Sequence, residues 1–218
     1  RSAGITGVCG SGIIEVLAEI FLAEILDRDG VIRGEFADVS ARIAANGRTW
    51  SYLLHEGEPT LRILQSDVRA VQLAKAALYA GTRLLMDRFG VDRVDRIRLA
   101  GAFGSLIDVK YAMVLGMIPD CDFENVSAAG NAAGAGACIA LLDCSRRRSI
   151  EKLVNEVEKI ETAVADDFQR HFVDAMGIPH NTDGFAKLAM QITLPAGDMD
   201  SGATKRKRSR RRARYEKI

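Results

Sequence analysis

The chain is short of several things that would have fixed its class at once. No run of about 18 apolar residues occurs, so no segment reads as a membrane-spanning helix. The opening residues do not read as a secretory signal. Proline is scarce, at 4 of 218 residues, while glycine numbers 20, a balance that excludes collagen-like and Pro-rich disordered chains. The four cysteines, Cys9, Cys121, Cys138 and Cys144, form no C-x₂-C pair and have no histidine pair beside them, which argues against a structural zinc site. Scattered cysteines without a secretion signal fit a reducing cytoplasm, with the thiols acting as small buried side chains. No Ser-His-Asp arrangement is evident, and His55, His171 and His180 stand without a motif, so they read as surface or packing residues.

What is present is a chain that is 48% hydrophobic, enough for one or two globular units. It starts at Arg1, within ten residues of a glycine-rich turn, and reads as a fragment that begins inside a domain. The net charge of +1 hides an asymmetry. Nine of the 30 Lys/Arg and one of the 29 Asp/Glu lie in 205–218, leaving 21 and 28 for the rest, a net of −7. An acidic body thus carries a basic tail.

Apolar residues at 13, 16, 17, 20, 21 and 25 predict a helix over "GSGIIEVLAEIFLAEILDRDG" (10–30), capped by Ser11 and ended by the "DRDG" turn. Short β-like runs follow, best in "TWSYLLH" and "TLRILQ". The clearest helix is 66–90, with Ser66 as its cap and Gly90 as its stop. "RIRLAG" (96–101) reads as a strand that ends at a loop. "DVKYAMVLG" (108–116) and "GNAAGAGACIALLD" (130–143) read as helices, and 149–176 as one or two amphipathic helices. From about 190 the composition turns to that of a disordered tail. The order predicts an α/β domain with a mixed sheet flanked by helices, in which ligands sit at the carboxyl ends of strands.

Two segments give up side chains beside apolar runs: "LAGAFGSLID" (99–108) and "GNAAGAGA" (130–137). Glycine after a strand allows a positive φ, close approach of a ligand, or tight packing, and all three stay open at 101–104. Gly130, Ala133, Gly134 and Ala137 recur at helical spacing, which by itself reads as a face that another helix can approach closely.

Taken together, the strand-to-glycine loop and the small-residue helix about thirty residues later resemble the back half of the actin-like ATPase superfamily. "GVCGSGIIEVLAEIFLAEILDRDG", "LQSDVRAVQLAKAALYAGTRLL", "LAGAFGSLID" and "GNAAGAGA" resemble, in order, the C-terminal ATPase domain of the reductive activators of corrinoid-dependent enzymes. The resemblance implies a C-terminal lobe of an actin-like fold over 1–145, a helical extension over 146–190 and a basic tail over 191–218. It implies ATP with Mg²⁺ as ligand and places Gly101, Ala102, Phe103 and Gly104 beside the ribose and base. Gln72 and Lys75, one turn apart on one helix face, take adenosine-side positions, against the plain alternative of an exposed face. Gly10, Ser11 and Gly12 offer free N–H groups to an anion, against the alternative of a simple cap. Asp108 follows the loop either as a cap or as a ligand neighbour. Gly130, Ala133, Gly134 and Ala137 become the hinge helix.

The resemblance also implies what lies elsewhere. The two Asp-bearing phosphate hairpins and the cysteines of a plant-type [2Fe–2S] ferredoxin domain, C-x₄-C-x₂-C and a distant Cys, are not in this chain. The implied activity is ATP-dependent return of Co(II) to Co(I) in a corrinoid protein or corrinoid methyltransferase, with the electron supplied through the ferredoxin domain. The fragment alone is expected to be inactive. The segment "DDFQRHFVDAMGIPH" resembles the family's C-terminal stretch and is expected to pack on the domain, against the alternative that it touches the corrinoid partner. The tail, with eight Lys/Arg in 205–214 and only Tyr215 to stack on a base, suits non-specific nucleic acid, an anionic membrane or an acidic protein, against the plain alternative of a solubilising tail. Competing readings are another kinase or a dehydratase activator of the superfamily, or a non-enzymatic module that binds through its tail.

Overall fold

The computed structural model describes residues 4–102, 104–162 and 164–195. Phe103 and the basic tail therefore lie outside the described residues.

Helix α1 spans Gly10–Leu22 and buries Ile14, Leu17, Ala18, Ile20 and Phe21. Its cap is Cys9, whose Sγ accepts the Gly12 N–H at 3.4 Å, not the expected Ser11. The helix ends eight residues before the predicted stop. Ile25 and Leu26 both donate backbone N–H groups to Ile20, and the chain doubles back so that Leu26 pairs with Ile32. The apolar residues that extend the helical period thus belong to a tight turn, which Asp27 closes by accepting the Val31 N–H at 2.8 Å.

Strands β1 (Ile43–Asn46), β2 (Thr49–His55) and β3 (Leu61–Leu64) form an antiparallel sheet in sequence order. Both predicted β-like runs are strands of it. β3 runs straight into α2, Gln65–Phe89. The start of α2 is fixed by Asp67, whose carboxylate accepts the Leu64 N–H at 2.8 Å, so the expected cap Ser66 already lies inside the helix. Gly90 ends α2 as expected.

β4 (Ile97–Ala100) pairs in parallel with β5 (Val126–Gly130), and α3 (Val109–Val114) lies in the connection between them. Asp108 caps α3, accepting the Lys110 N–H at 2.8 Å. The strands thus fall into two small sheets among the described residues, three antiparallel and two parallel, within an α/β chain. Helices α4 (Ala132–Leu142) and α5 (Cys144–Glu156) follow β5, and neither buries a residue.

The amphipathic stretch predicted after 149 divides. α5 ends at Glu156, and α6 (Phe168–Asp174) and α7 (Ala186–Gln191) come back to the body. Ala175, Ile178, Phe185 and Leu188 join Leu17, Phe21, Val68, Ala76 and Met113 in one hydrophobic core. The C-terminal stretch therefore packs on the domain, with α6 along α2.

Candidate functional site

The two glycine segments meet. β4 ends at Ala100 and β5 at Gly130, paired after a one-residue register shift, and the Gly101 N–H donates to the Gly130 carbonyl at 2.9 Å. Both glycines have positive φ, 95° and 66°, in the region that side chains rarely adopt. A Cβ built at either would meet no atom within 4 Å, so nothing in the protein explains glycine there by crowding. Both backbones face open space at the carboxyl ends of a parallel pair, where α/β domains bind ligands. Ala102 is exposed and Gly104 partly covered, with Gly104 pressed against the Ala100 carbonyl, where a Cβ would stand 2.9 Å away. Ser105 folds the loop back, donating its hydroxyl to the Gly101 carbonyl at 2.8 Å.

Gly130 is a strand residue and does not belong to the small-residue helix, which corrects its expected place. Ala133, Gly134 and Ala137 do lie on α4, whose cap Asn131 accepts the Gly134 N–H at 2.9 Å. α4 starts two residues after the glycine that terminates β5, with Asn131 between them, so its N-terminus opens at the same end as the loop.

Gln72 and Lys75 go elsewhere. Each is only 2% exposed, which excludes the plain exposed-face reading. The Gln72 amide donates to the Asp29 carbonyl at 3.0 Å and the Met176 carbonyl at 3.1 Å. The Lys75 ammonium donates to the carbonyls of Gly177 and Pro179, the latter at 2.8 Å. Their polar ends are thus spent on the C-terminal segment and not turned to the glycine loop. Burial without a counter-charge lowers the Lys75 pKa to about 7. Around this pair stand residues that sequence reasoning missed. The Tyr79 hydroxyl donates to Asp183 at 2.6 Å, and its ring lies 4.6 Å from that of His180. Arg28 donates to the His180 carbonyl at 2.9 Å. His171 and His180 are buried packing residues, and His171 pairs with Asp87 at 2.8 Å.

Gly10, Ser11 and Gly12 form the first turn of α1, and no hydrogen bond among the described residues joins them to the 101–104 loop. The Cys9 thiol beside them has its pKa lowered, first by the Ser11 hydroxyl and then by the Gly12 N–H.

The cysteines do not fit an iron–sulfur cluster. Cys9, Cys138 and Cys144 are exposed and Cys121 is buried, and no metal-holding group of three or more His, Cys, Asp or Glu exists among the described residues. The open backbone at Gly101 and Gly130 does suit a nucleoside, which needs room beside the main chain.

The parallel strand pair with its two apposed glycine segments and the small-residue helix after it fit an actin-like α/β domain. The chain belongs to the family described as the C-terminal domain of RACo, the ASKHA domain, which matches residues 2–189. Among curated proteins it is 37% identical over 148 residues to the corrinoid activation enzyme RamQ of Eubacterium limosum, covering 62% of this chain and 25% of that one. Among solved structures it resembles a reductive activator for corrinoid, iron-sulfur protein, with a TM-score of 0.71 and 32% identity over 81% of this chain and 29% of that one. The chain thus spans about a quarter of the length of these relatives. No helix among the described residues is long and apolar enough to cross a membrane.

Proposed function

We propose that this chain is the nucleotide-side part of a cytoplasmic, ATP-dependent reductive activator of corrinoid proteins. The observation that carries the reading is the apposition of Gly101 and Gly130, whose open backbones offer a flat wall to a ribose and base. The names of the two relatives support corrinoid activation as the role of the whole protein. Gly101, Ala102 and Gly104 then line the adenosine pocket. The exposed, small-residue face of α4, with Ala133, Gly134 and Ala137, serves as the hinge against the rest of the ATPase.

In the whole protein, a [2Fe–2S] cluster held elsewhere would supply the one electron that turns Co(II) into Co(I). ATP binding and hydrolysis, with Mg²⁺ held by residues outside this chain, make that transfer feasible. The partner is a corrinoid protein or corrinoid methyltransferase.

The test is ATP affinity of the full-length protein with Gly101→Val. A branched side chain fills the space beside the ribose, and the expected loss is about tenfold or more, with Co(I) formation falling in step. Unchanged affinity in a protein that remains folded by circular dichroism removes the loop from the nucleotide site.

A further inference from the structure

We propose that residues 176–191 form a proton-operated latch on the linker between α3 and β5, with His180 as its sensor. The segment is clamped on two sides. On one, Gln72 and Lys75 of α2 hold the carbonyls of 176, 177 and 179, and the Ile178 N–H donates to the Arg28 carbonyl at 2.9 Å. On the other, it grips the linker. The Pro179 carbonyl lies so close to Gly116 that a Cβ there would stand 1.9 Å away. Asp120 accepts the N–H groups of Lys187 and Leu188 at 2.8 and 3.0 Å, and the Lys187 ammonium meets Asp122 at 2.9 Å. That linker joins α3, which follows the loop after β4, to the strand that carries Gly130. The latch thus fixes the connection between the two glycine segments.

His180 closes the latch only when neutral. Its Nδ1 accepts the backbone N–H groups of Thr182 at 3.2 Å and Asp183 at 2.9 Å. A proton on Nδ1 removes that acceptor and turns both N–H groups against a like charge. The turn they define presents Asp183 to Tyr79, so that bond goes with it. The charged groups facing the ring come from every side: Lys75 on α2, Asp183 beside it, and His171 and Asp174 on α6. Arg28 bonds its carbonyl. Burial holds the His180 pKa below its ordinary value, offset in part by Asp183 and reinforced by Lys75. The ring is therefore neutral at neutral pH and charges on acidification. Lys75 adds a second charge under the same strap, where its hydrogen-bond partners are carbonyls alone. His171 on α6 is bonded to Asp87 on α2 at 2.8 Å, a contact that does not pass through the strap.

The experiment is amide hydrogen exchange of the full chain, with protection factors corrected for intrinsic rates and α1 as the internal reference. Between about pH 8 and about pH 5, protection over 176–191 is expected to fall about tenfold or more in the wild type. His180→Asn, which keeps an acceptor at the Nδ1 position but takes no proton, is expected to lose only the smaller share that Lys75 contributes above about pH 7. Constant protection in the wild type, or an equal loss in His180→Asn, overturns the latch. If the variant does not fold, the His180 ring titration followed by NMR decides in the wild type. Its midpoint must coincide with that of strap opening, and a gap of about one pH unit or more overturns the proposal. These readouts do not involve nucleotide, so the latch stands or falls separately from the ATP reading.

Discussion

Lys75 carries its nitrogen into the core and finds only carbonyls there, which gives stability an unusual pH dependence. Its folded pKa is lowered to about 7 from 10.5, so between those values the unfolded chain binds a proton that the folded chain does not. Stability is therefore expected to rise with pH across that window, by up to about 1.4 kcal/mol per pH unit. Below it both states are charged, and the full cost of burial remains. The rise ends near the tyrosine range, because burial and the Asp183 carboxylate push the Tyr79 pKa up and the unfolded chain then ionises first. Urea midpoints from about pH 7 to about pH 10 check this. Lys75→Met should flatten the slope and, near pH 10, cost about 2 kcal/mol by leaving the Gly177 and Pro179 carbonyls without a donor. A slope that survives the substitution assigns the effect to another group. The core position of this lysine was legible in part. Val68, Gln72, Lys75, Ala76 and Tyr79 share one helical stripe and are all buried, so polar residues recur on the apolar face. Apart from Asp29, which Gln72 also bonds, what occupies their polar ends lies more than 100 residues away, at 176–183, and no local pattern announces it.

At the scale of elements, helices with long apolar periods were read well, and short strands depended on composition. α2 matches its expected span within a residue at each end, whereas β5, "VSAAG", was not seen as a strand. Only Val126 in it has strand character, and its partner β4 is about thirty residues upstream. Missing β5 also hid the site's main feature, since the apposition of Gly101 and Gly130 exists only once both strands are paired. α1 was overextended because Ile25 and Leu26 keep the helical period while serving a turn. The docking of the C-terminal segment on the linker after α3 is testable at this scale. Gly116→Ala places a Cβ 1.9 Å from the Pro179 carbonyl, a backbone atom that cannot swing aside. The expected cost is about 3 kcal/mol or more, read from chemical denaturation, with protection lost first over 176–191. A loss below about 1 kcal/mol refutes the close approach of Pro179 to Gly116.

Composition alone promised a closed globule, and for the molecule as a whole that expectation fails on one side. α4, "AAGAGACIALL", carries no charged residue, yet it and α5 bury nothing. Ile139, Leu141, Leu142, Leu153, Val154 and Val157 are all exposed, Leu142 by 84%. Average hydrophobicity cannot separate a residue buried in its own chain from one buried by something else, so the sequence gives no warning of this face. A contiguous apolar surface of this kind is uncommon on a monomer. The chain spans about a quarter of the length of its relatives, and taken alone it carries the face uncovered. Concentration-dependent self-association of the isolated chain is therefore expected in sedimentation velocity. Leu142→Arg with Val154→Glu should return it to a monomer. The same pair should change stability by no more than about 0.5 kcal/mol, because neither side chain contributes to the core. A wild-type chain that sediments as a monomer at high concentration refutes the open face. A double variant that unfolds shows instead that α4 and α5 pack on the body through these very residues.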